Sequence, residues 1–284
     1  MSSPILEDLE YIYKDLGNTK KFKNKNILIT GCGGLIGFYL ILFLKKYKKK
    51  LGIKKIVGVD NIQYKSSDWI NQIYNQKDII FYKKNINNIN YNDKRLRDID
   101  FIFHMASVAS PYYFNKDPIN VFDTNCIAYK KILDSYKSKK GISILYFSTS
   151  EFYGTPDKKN IPTKENYLGQ INTIGPRACY DESKRAGETL SYIYHNQFKM
   201  NIKIVRLFNT YGPGQSFNDR RAVSDFARNI FFSKKIDVYS SKKYTRSFCY
   251  VSDTIVGIIK AQLYNKFDVF NLGNNNEEIS IYEL

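Results

Sequence analysis

The sequence predicts an α/β protein: a doubly wound parallel sheet followed by a smaller C-terminal substrate-binding part. Three observations carry that expectation. A glycine-rich turn, Gly31-Cys32-Gly33-Gly34-Leu35-Ile36-Gly37, separates a short apolar run from a longer one. Short apolar runs without polar alternation recur up to Asn209, spaced by helix-length segments. One such run ends at Ser148-Thr149-Ser150-Glu151, upstream of a tyrosine and lysine spaced i,i+4, Tyr180 and Lys184. Unalternating strands are buried on both faces, the pattern of a parallel sheet, and their alternation with helices specifies βα units.

Along the chain, Ile5, Leu6, Leu9, Ile12 and Leu16 form a helical stripe, so residues 1–25 read as a helical extension packed on the main domain. Asn26 to Thr30 is a strand, Leu35 to Tyr47 a helix, and Lys55 to Asp60, Ile79 to Tyr82 and Ile99 to Ala106 are further strands. A helix over Pro118 to Tyr136 leads to strand Ile142 to Thr149. The helix Tyr180 to Gln197 leads to strand Ile202 to Asn209. These elements place the dinucleotide-binding domain at 26–209. From 210 to 284 the texture changes to a Tyr211-Gly212-Pro213-Gly214 turn, a helix near Arg221 to Phe232 and short segments, read as the part that covers substrate.

Composition bounds the function. With 284 residues, 43% of them hydrophobic and 15% aromatic, the chain has ample material for a core. Its net charge of +17 raises the question of nucleic acid. The lysines are scattered, clustering only at Lys20 to Lys25 and Lys45 to Lys50, in a chain also rich in Asn, Ile and Tyr. That pattern reads as compositional bias with solvated faces, and no nucleic-acid partner is expected. Cys32, Cys126, Cys179 and Cys249 lack Cys-x-x-Cys spacing and read as separate reduced thiols of a cytoplasmic protein. With His104 and His195 the only histidines, no metal site is expected. The start lacks the cationic and apolar regions of a signal peptide, and the longest apolar run, Leu35 to Leu44, is too short to cross a bilayer.

The glycine turn lies between strand and helix, the context that a dinucleotide fingerprint of a Rossmann domain requires. Gly31 suits the tight turn, Gly34 the approach of the backbone to a pyrophosphate, and Gly37 close helix packing. The backbone of Gly31, Gly33, Gly34, Leu35, Ile36 and Gly37 is therefore expected to hold the cofactor at the helix N-terminus. Asp60, with Asn61 beside it, ends the second strand where a carboxylate binds ribose hydroxyls and repels a 2′-phosphate, so the cofactor expected is NAD.

Residues at the C-terminal ends of parallel strands face the ligand crevice. Thr149 can then bond the hydroxyl being oxidised, and Glu151 reaches the next carbon; both could equally be turn and cap residues. Tyr180 and Lys184 share one helix face, and the ammonium is expected to favour the phenolate. For work near neutrality the phenol has to fall from its usual value of about 10 to about 7. In a chain with 24 tyrosines the spacing alone is weak, and its order after the glycine turn and Thr149 gives it force.

Phe147 to Gly154, Tyr180-Asp181-Glu182-Ser183-Lys184 and Asn209-Thr210-Tyr211-Gly212-Pro213 resemble the extended short-chain dehydrogenase/reductase superfamily that modifies nucleotide sugars. Ile174 to Glu182 and His104 to Pro111 are most similar to its UDP-glucuronate decarboxylase branch. The resemblance runs from about Asn26 to the end and takes in Asp219 to Ser224, Thr245 to Phe248 and Asn271 to Asn274. It implies oxidation at sugar C4 with Tyr180 as base, decarboxylation through the 4-keto sugar to UDP-xylose, and return of the hydride from the cofactor. It also implies catalytic roles for Thr149, Glu151, Tyr180, Lys184 and Arg221, substrate contacts from Tyr113, Asn209, Arg221 and Arg246, and a homodimer. The 4,6-dehydratase and 4-epimerase chemistries share this scaffold, and a non-catalytic NAD-binding protein is the remaining alternative. Three departures stand out: Gly214 where the superfamily commonly has arginine, Asn85 where it has aspartate, and an end at Leu284 where relatives continue, so the substrate part is expected to be truncated.

Overall fold

The computed structural model describes residues 3–62, 78–238 and 244–284. Seven parallel strands form the main sheet: β1 (Asn26–Thr30), β2 (Lys55–Asp60), β3 (Ile80–Lys83), β4 (Phe101–His104), β5 (Ser143–Thr149), β6 (Asn201–Leu207) and β10 (Asp268–Leu272). Their order is β10-β6-β5-β4-β1-β2-β3. The doubly wound α/β sheet expected from the apolar runs is thus present. The winding reverses between β1 and β4, where Thr30 pairs with His104, and this is where a crevice opens beyond the strand ends.

β1, β4 and β5 are buried along their whole length, as strands covered on both faces must be. One apolar layer packs the Leu35–Lys46 and Val251–Leu263 helices and the N-terminal helix Ser3–Asp15 on the sheet. The last of these buries Ile5, Leu9 and Ile12, as its stripe predicts. On the opposite face the helix Ala128–Tyr136 buries Ile132 and Leu133, alongside Tyr194 of the Ala178–Phe198 helix.

Several boundaries move for identifiable reasons. The fourth strand stops at His104, because Met105 N turns back to Thr30 O and Ala106 N to Thr30 Oγ1. The sixth stops at Leu207 and leaves Asn209 free to turn and donate to Ser247 O. The helix expected over Pro118 to Tyr136 is interrupted by a π-helical stretch, Asp123–Ile127. Residues after 209 do not form a separate part throughout: β10 extends the main sheet beside β6. Two small pairings complete the C-terminal part, β7 (Thr210–Tyr211) with β9 (Cys249–Tyr250) and β8 (Thr245–Arg246) with β11 (Ile279–Ser280). Among the described residues no helix is long and apolar enough to cross a membrane.

Candidate active site

The crevice beyond β1, β4 and β5 is a cleft of about 380 Å³, within the size range of small-ligand sites. One wall is the glycine turn. Gly31 has φ of 71°, and a Cβ there would lie 2.6 Å from Ala106 N, so the turn needs glycine both for its conformation and for its contact with the chain after β4. A Cβ on Gly37 would lie 2.6 Å from Gly31 O and from Cys32 Cα, which couples helix to turn. Gly34 differs: an added Cβ would meet Gly31 O at 3.7 Å, an ordinary contact, so the turn does not need glycine there for its own packing. Gly34 caps the Leu35–Lys46 helix without a side-chain hydrogen bond, which leaves first-turn N–H groups for a ligand.

Asp60 stands at the far end of this wall. Its Oδ2 accepts from Gly33 N at 2.8 Å and its Oδ1 from Ile62 N at 2.7 Å. Burial raises its carboxyl above the ordinary value, opposed by those N–H groups and that of Asn61. Each oxygen keeps a lone pair, so the carboxylate can still accept ribose hydroxyls. A bare helix N-terminus fits the diphosphate of a dinucleotide, and the rim carboxylate fits its ribose hydroxyls. Asn85, in place of an aspartate, caps a short turn by accepting from Asn87 N at 3.0 Å.

The other wall carries Thr149, Glu151, Tyr180 and Lys184. β5 ends at Thr149, and a 3-10 turn, Ser150–Tyr153, brings Glu151 round to the cleft. Thr149 Oγ1 accepts from Glu151 N at 3.3 Å, so it caps this turn, and its hydroxyl also pulls the pKa of the Tyr180 phenol down. The cap reading and the catalytic reading therefore describe the same hydroxyl. Tyr180 comes from the first turn of the Ala178–Phe198 helix, its ring stacked 4.7 Å from that of Phe114. One turn on, Lys184 Nζ donates to Phe147 O at 2.7 Å and lies 5.9 Å from the Tyr180 ring centre.

These contacts reverse the acidities expected from the spacing. Burial pushes Tyr180 up to about 12, against the pull of Thr149 and Arg221. Burial also lowers Lys184 to about 7, against the pull of Glu188. The lysine is spent on a strand carbonyl and shares its dry pocket with the phenol, so desolvation outweighs its charge. Behind it, Glu188 accepts from Ser148 Oγ at 2.5 Å and from Arg206 at 2.9 and 2.7 Å, a buried pair that ties β5, β6 and the helix together. Arg206 also donates to Tyr153 OH at 2.7 Å.

Glu151 does not stand alone. Arg177, the residue before the helix, donates from Nη2 to Glu151 Oε2 at 2.6 Å. Its Nε lies 3.5 Å from Asp181 Oδ2, and burial raises the Asp181 carboxyl to about 6. Arg221 is gripped by Asp219 through Nε and Nη2, both at 2.6 Å. Tyr113, Asn209, Gly214 and Arg221 line the same cleft. Arg246 does not: it sits exposed on β8 and donates to Thr245 O at 2.8 Å. Sequence reasoning missed Arg177, Asp181, Asp219 and Glu188. The i,i+4 spacings of Arg177 with Asp181 and of Lys184 with Glu188 were the signals available for three of them.

A family model described as "NAD dependent epimerase/dehydratase family" matches residues 27–273. UDP-glucuronic acid decarboxylase 6 of Arabidopsis thaliana is 35% identical over 263 residues, covering 92% of this chain and 73% of that protein. UDP-glucuronic acid decarboxylase 1 of Xenopus tropicalis is 36% identical over 265 residues, 89% of this chain and 57% of the relative. Among solved structures, UDP-glucuronic acid 4-epimerase from Bacillus cereus, in complex with UDP-glucuronic acid and NAD, superposes with a TM-score of 0.77 at 26% identity. The match covers 90% of this chain and 80% of the epimerase.

Proposed function

The chain belongs to the NAD dependent epimerase/dehydratase family, and from that premise we propose that it decarboxylates UDP-glucuronate to UDP-xylose through a transient 4-keto sugar. The observation that carries this reading is the convergence of Thr149, Tyr180 and Glu151 on one cleft, facing a glycine turn built for a dinucleotide. The decarboxylase relatives at 35% identity favour this outcome among those the scaffold allows.

When bound, NAD supplies the two-electron acceptor for C4 and returns the same hydride to it. Gly31, Gly33, Gly34, Leu35, Ile36 and Gly37 would hold its diphosphate, and Asp60 with Asn61 its ribose. Burial pushes Tyr180 up to about 12, so it would take the proton of the C4 hydroxyl only with its pKa brought down by positive charge beside it, from Lys184, Arg221 and the oxidised cofactor when bound, while Thr149 holds the same oxygen. With C4 a ketone, the C5 carboxylate is that of a β-keto acid. As the bond to carbon dioxide breaks, its electron pair moves through C5 to the C4 oxygen, where the Tyr180 phenol and Thr149 hydroxyl meet the developing charge. A phenol held at about 12 is well suited to donate at that moment. A proton from solvent, relayed by the half-exposed Glu151, then reaches C5, and Lys184 and Arg221 stand nearby.

Weighing the products from a panel of nucleotide sugars tests this. Loss of carbon dioxide from UDP-glucuronate supports the reading. Loss of water from a neutral nucleotide sugar identifies a dehydratase, and an isomer of unchanged mass an epimerase. No product from any sugar, with NAD still bound, identifies a non-catalytic binder.

We further read the chain as a cytoplasmic homodimer. Exposed Ile119, Phe122 and Ile127 on one helical segment and Tyr192 and Ile193 on the Ala178–Phe198 helix support pairing, and unpaired cysteines fit a reducing compartment. A monomeric mass in solution would overturn the dimer.

A further inference from the structure

Two guanidinium groups line the cleft, and both touch carboxylates of the chain, but in different ways. Arg221 meets Asp219 as a fork, Nε and Nη2 each 2.6 Å from a carboxylate oxygen. That is the strong bidentate arrangement. Arg177 meets Glu151 through Nη2 alone, and its Nε is 3.5 Å from Asp181 Oδ2, beyond ordinary hydrogen-bond length. Both side chains of the Glu151 contact are half exposed, at 43% and 45%, so the pair can part without disturbing the core.

The location of this pair matters. Glu151 follows Thr149 in the turn after β5, and Arg177 immediately precedes the helix that carries Tyr180. A C4 oxygen held by Thr149 and Tyr180 puts the C5 substituent one carbon away. If that substituent is a carboxylate, it arrives beside Glu151, and two like charges in one pocket are repulsive unless a cation stands between them. Arg177 is the cation already in contact with Glu151.

We propose that Arg177 is the specificity-determining residue of the site: it exchanges Glu151 for the carboxylate of the acidic sugar, and thereby releases Glu151 for proton transfer at C5. A neutral hexose offers nothing to exchange and leaves the Glu151–Arg177 pair intact. The inference rests on the reading that the substrate is a uronate.

The test measures binding without turnover. In a Tyr180→Phe protein with NAD bound, calorimetry compares UDP-glucuronate with UDP-glucose, and the comparison is repeated after adding Arg177→Gln, Arg177→Lys or Glu151→Gln. Arg177→Gln is expected to weaken UDP-glucuronate about 10- to 100-fold, the scale of a lost charge-assisted contact. UDP-glucose should change less than about 2-fold, as befits a ligand that makes no such contact. Arg177→Lys should restore part of the preference, and Glu151→Gln should tighten UDP-glucuronate by removing its competitor. Equal weakening of both ligands by Arg177→Gln, an unaltered preference, or weakening by Glu151→Gln would each overturn the assignment. If the Tyr180→Phe protein itself binds both sugars equally, the uronate reading falls and takes the assignment with it. A preference that survives Arg177→Gln removes the assignment alone.

Discussion

The two walls of the cleft are made of different material. The cofactor wall is backbone: glycines at which an added Cβ would lie 2.6 Å from neighbouring main chain, and helix N–H groups left bare at the end of a buried strand. The opposite wall is side chain: a phenol beside a threonine, and half-exposed guanidinium groups on carboxylates. At Gly31 and Gly37 the backbone wall tolerates no substitution, because a Cβ has nowhere to go. A wall of ion pairs can be rearranged by a charged ligand at modest cost, since exposed pairs hold together weakly. The first suits a cofactor that stays the same; the second suits discrimination among sugars.

That contrast can be broken in several ways, beginning with chemistry. Tyr180→Phe should lower kcat by about 10²- to 10⁴-fold, the worth of a positioned acid or base, while calorimetry finds NAD affinity unchanged. If activity survives, Tyr180 is not the group that moves the proton. Behind the same wall, Glu188→Ala strands Arg206 in the interior, and breaking a buried pair costs about 3–5 kcal/mol. Urea unfolding should show that loss, and a shift within error would mean that the bonds Arg206 already makes to Tyr153 OH and Glu165 O are enough to hold it.

The cofactor wall is probed by two glycines. Gly37→Ala should cost about 1–3 kcal/mol, as overpacking does, because its Cβ would meet main chain at 2.6 Å. Gly34→Ala should leave stability nearly unchanged and weaken NAD, since its nearest atom is 3.7 Å away. If Gly34→Ala costs as much stability as Gly37→Ala, the division between structural and ligand-facing glycines is wrong.

The smallest effect concerns lysines on either side of that second wall. Lys184 faces the cleft, and Lys203 lies fully buried in β6, its Nζ on Ser143 Oγ at 2.5 Å. Burial lowers both to about 7 from an ordinary 10.5. Below about 7 both folded and unfolded chains carry the proton and the desolvation penalty is complete. As pH rises from about 7 toward 10.5 the folded form sheds it first, so stability should rise across that window. Lys203→Met should flatten the rise in part, leaving the share that Lys184 contributes. An unchanged slope in Lys203→Met would mean that Lys203 stays charged in the fold.

What could be read in advance follows the same division. Gly31 and Gly37 were legible because backbone contact leaves glycine as the residue that fits, Gly34 because the strand-turn-helix spacing places it at the helix N-terminus, and Tyr180 and Lys184 because helix spacing sets their common face. The acidity of Tyr180 was not legible, since the stacking on Phe114 that dries it joins residues far apart in sequence. Nor was the bond of Lys184 to Phe147 O, or the pairing of Glu188 with Arg206, which depends on how β6 packs beside the helix. Arg246 matches a motif, yet β8 leaves it outside the cleft, because a two-residue strand paired with β11 fixes its direction. The seventh strand escaped notice because β10 is only partly buried and lies at the sheet edge, where the continuous apolar run that marks a central strand is missing.

The central claim is a closed redox cycle at C4, with carbon dioxide leaving between its halves. Its most direct test is a turnover with UDP-glucuronate that carries deuterium at C4, followed by mass analysis of the product. The account predicts a UDP-pentose that has lost carbon dioxide and kept the deuterium, with no net reduction of NAD. A product without the label, or labelled sugar that retains its carboxylate, would contradict it.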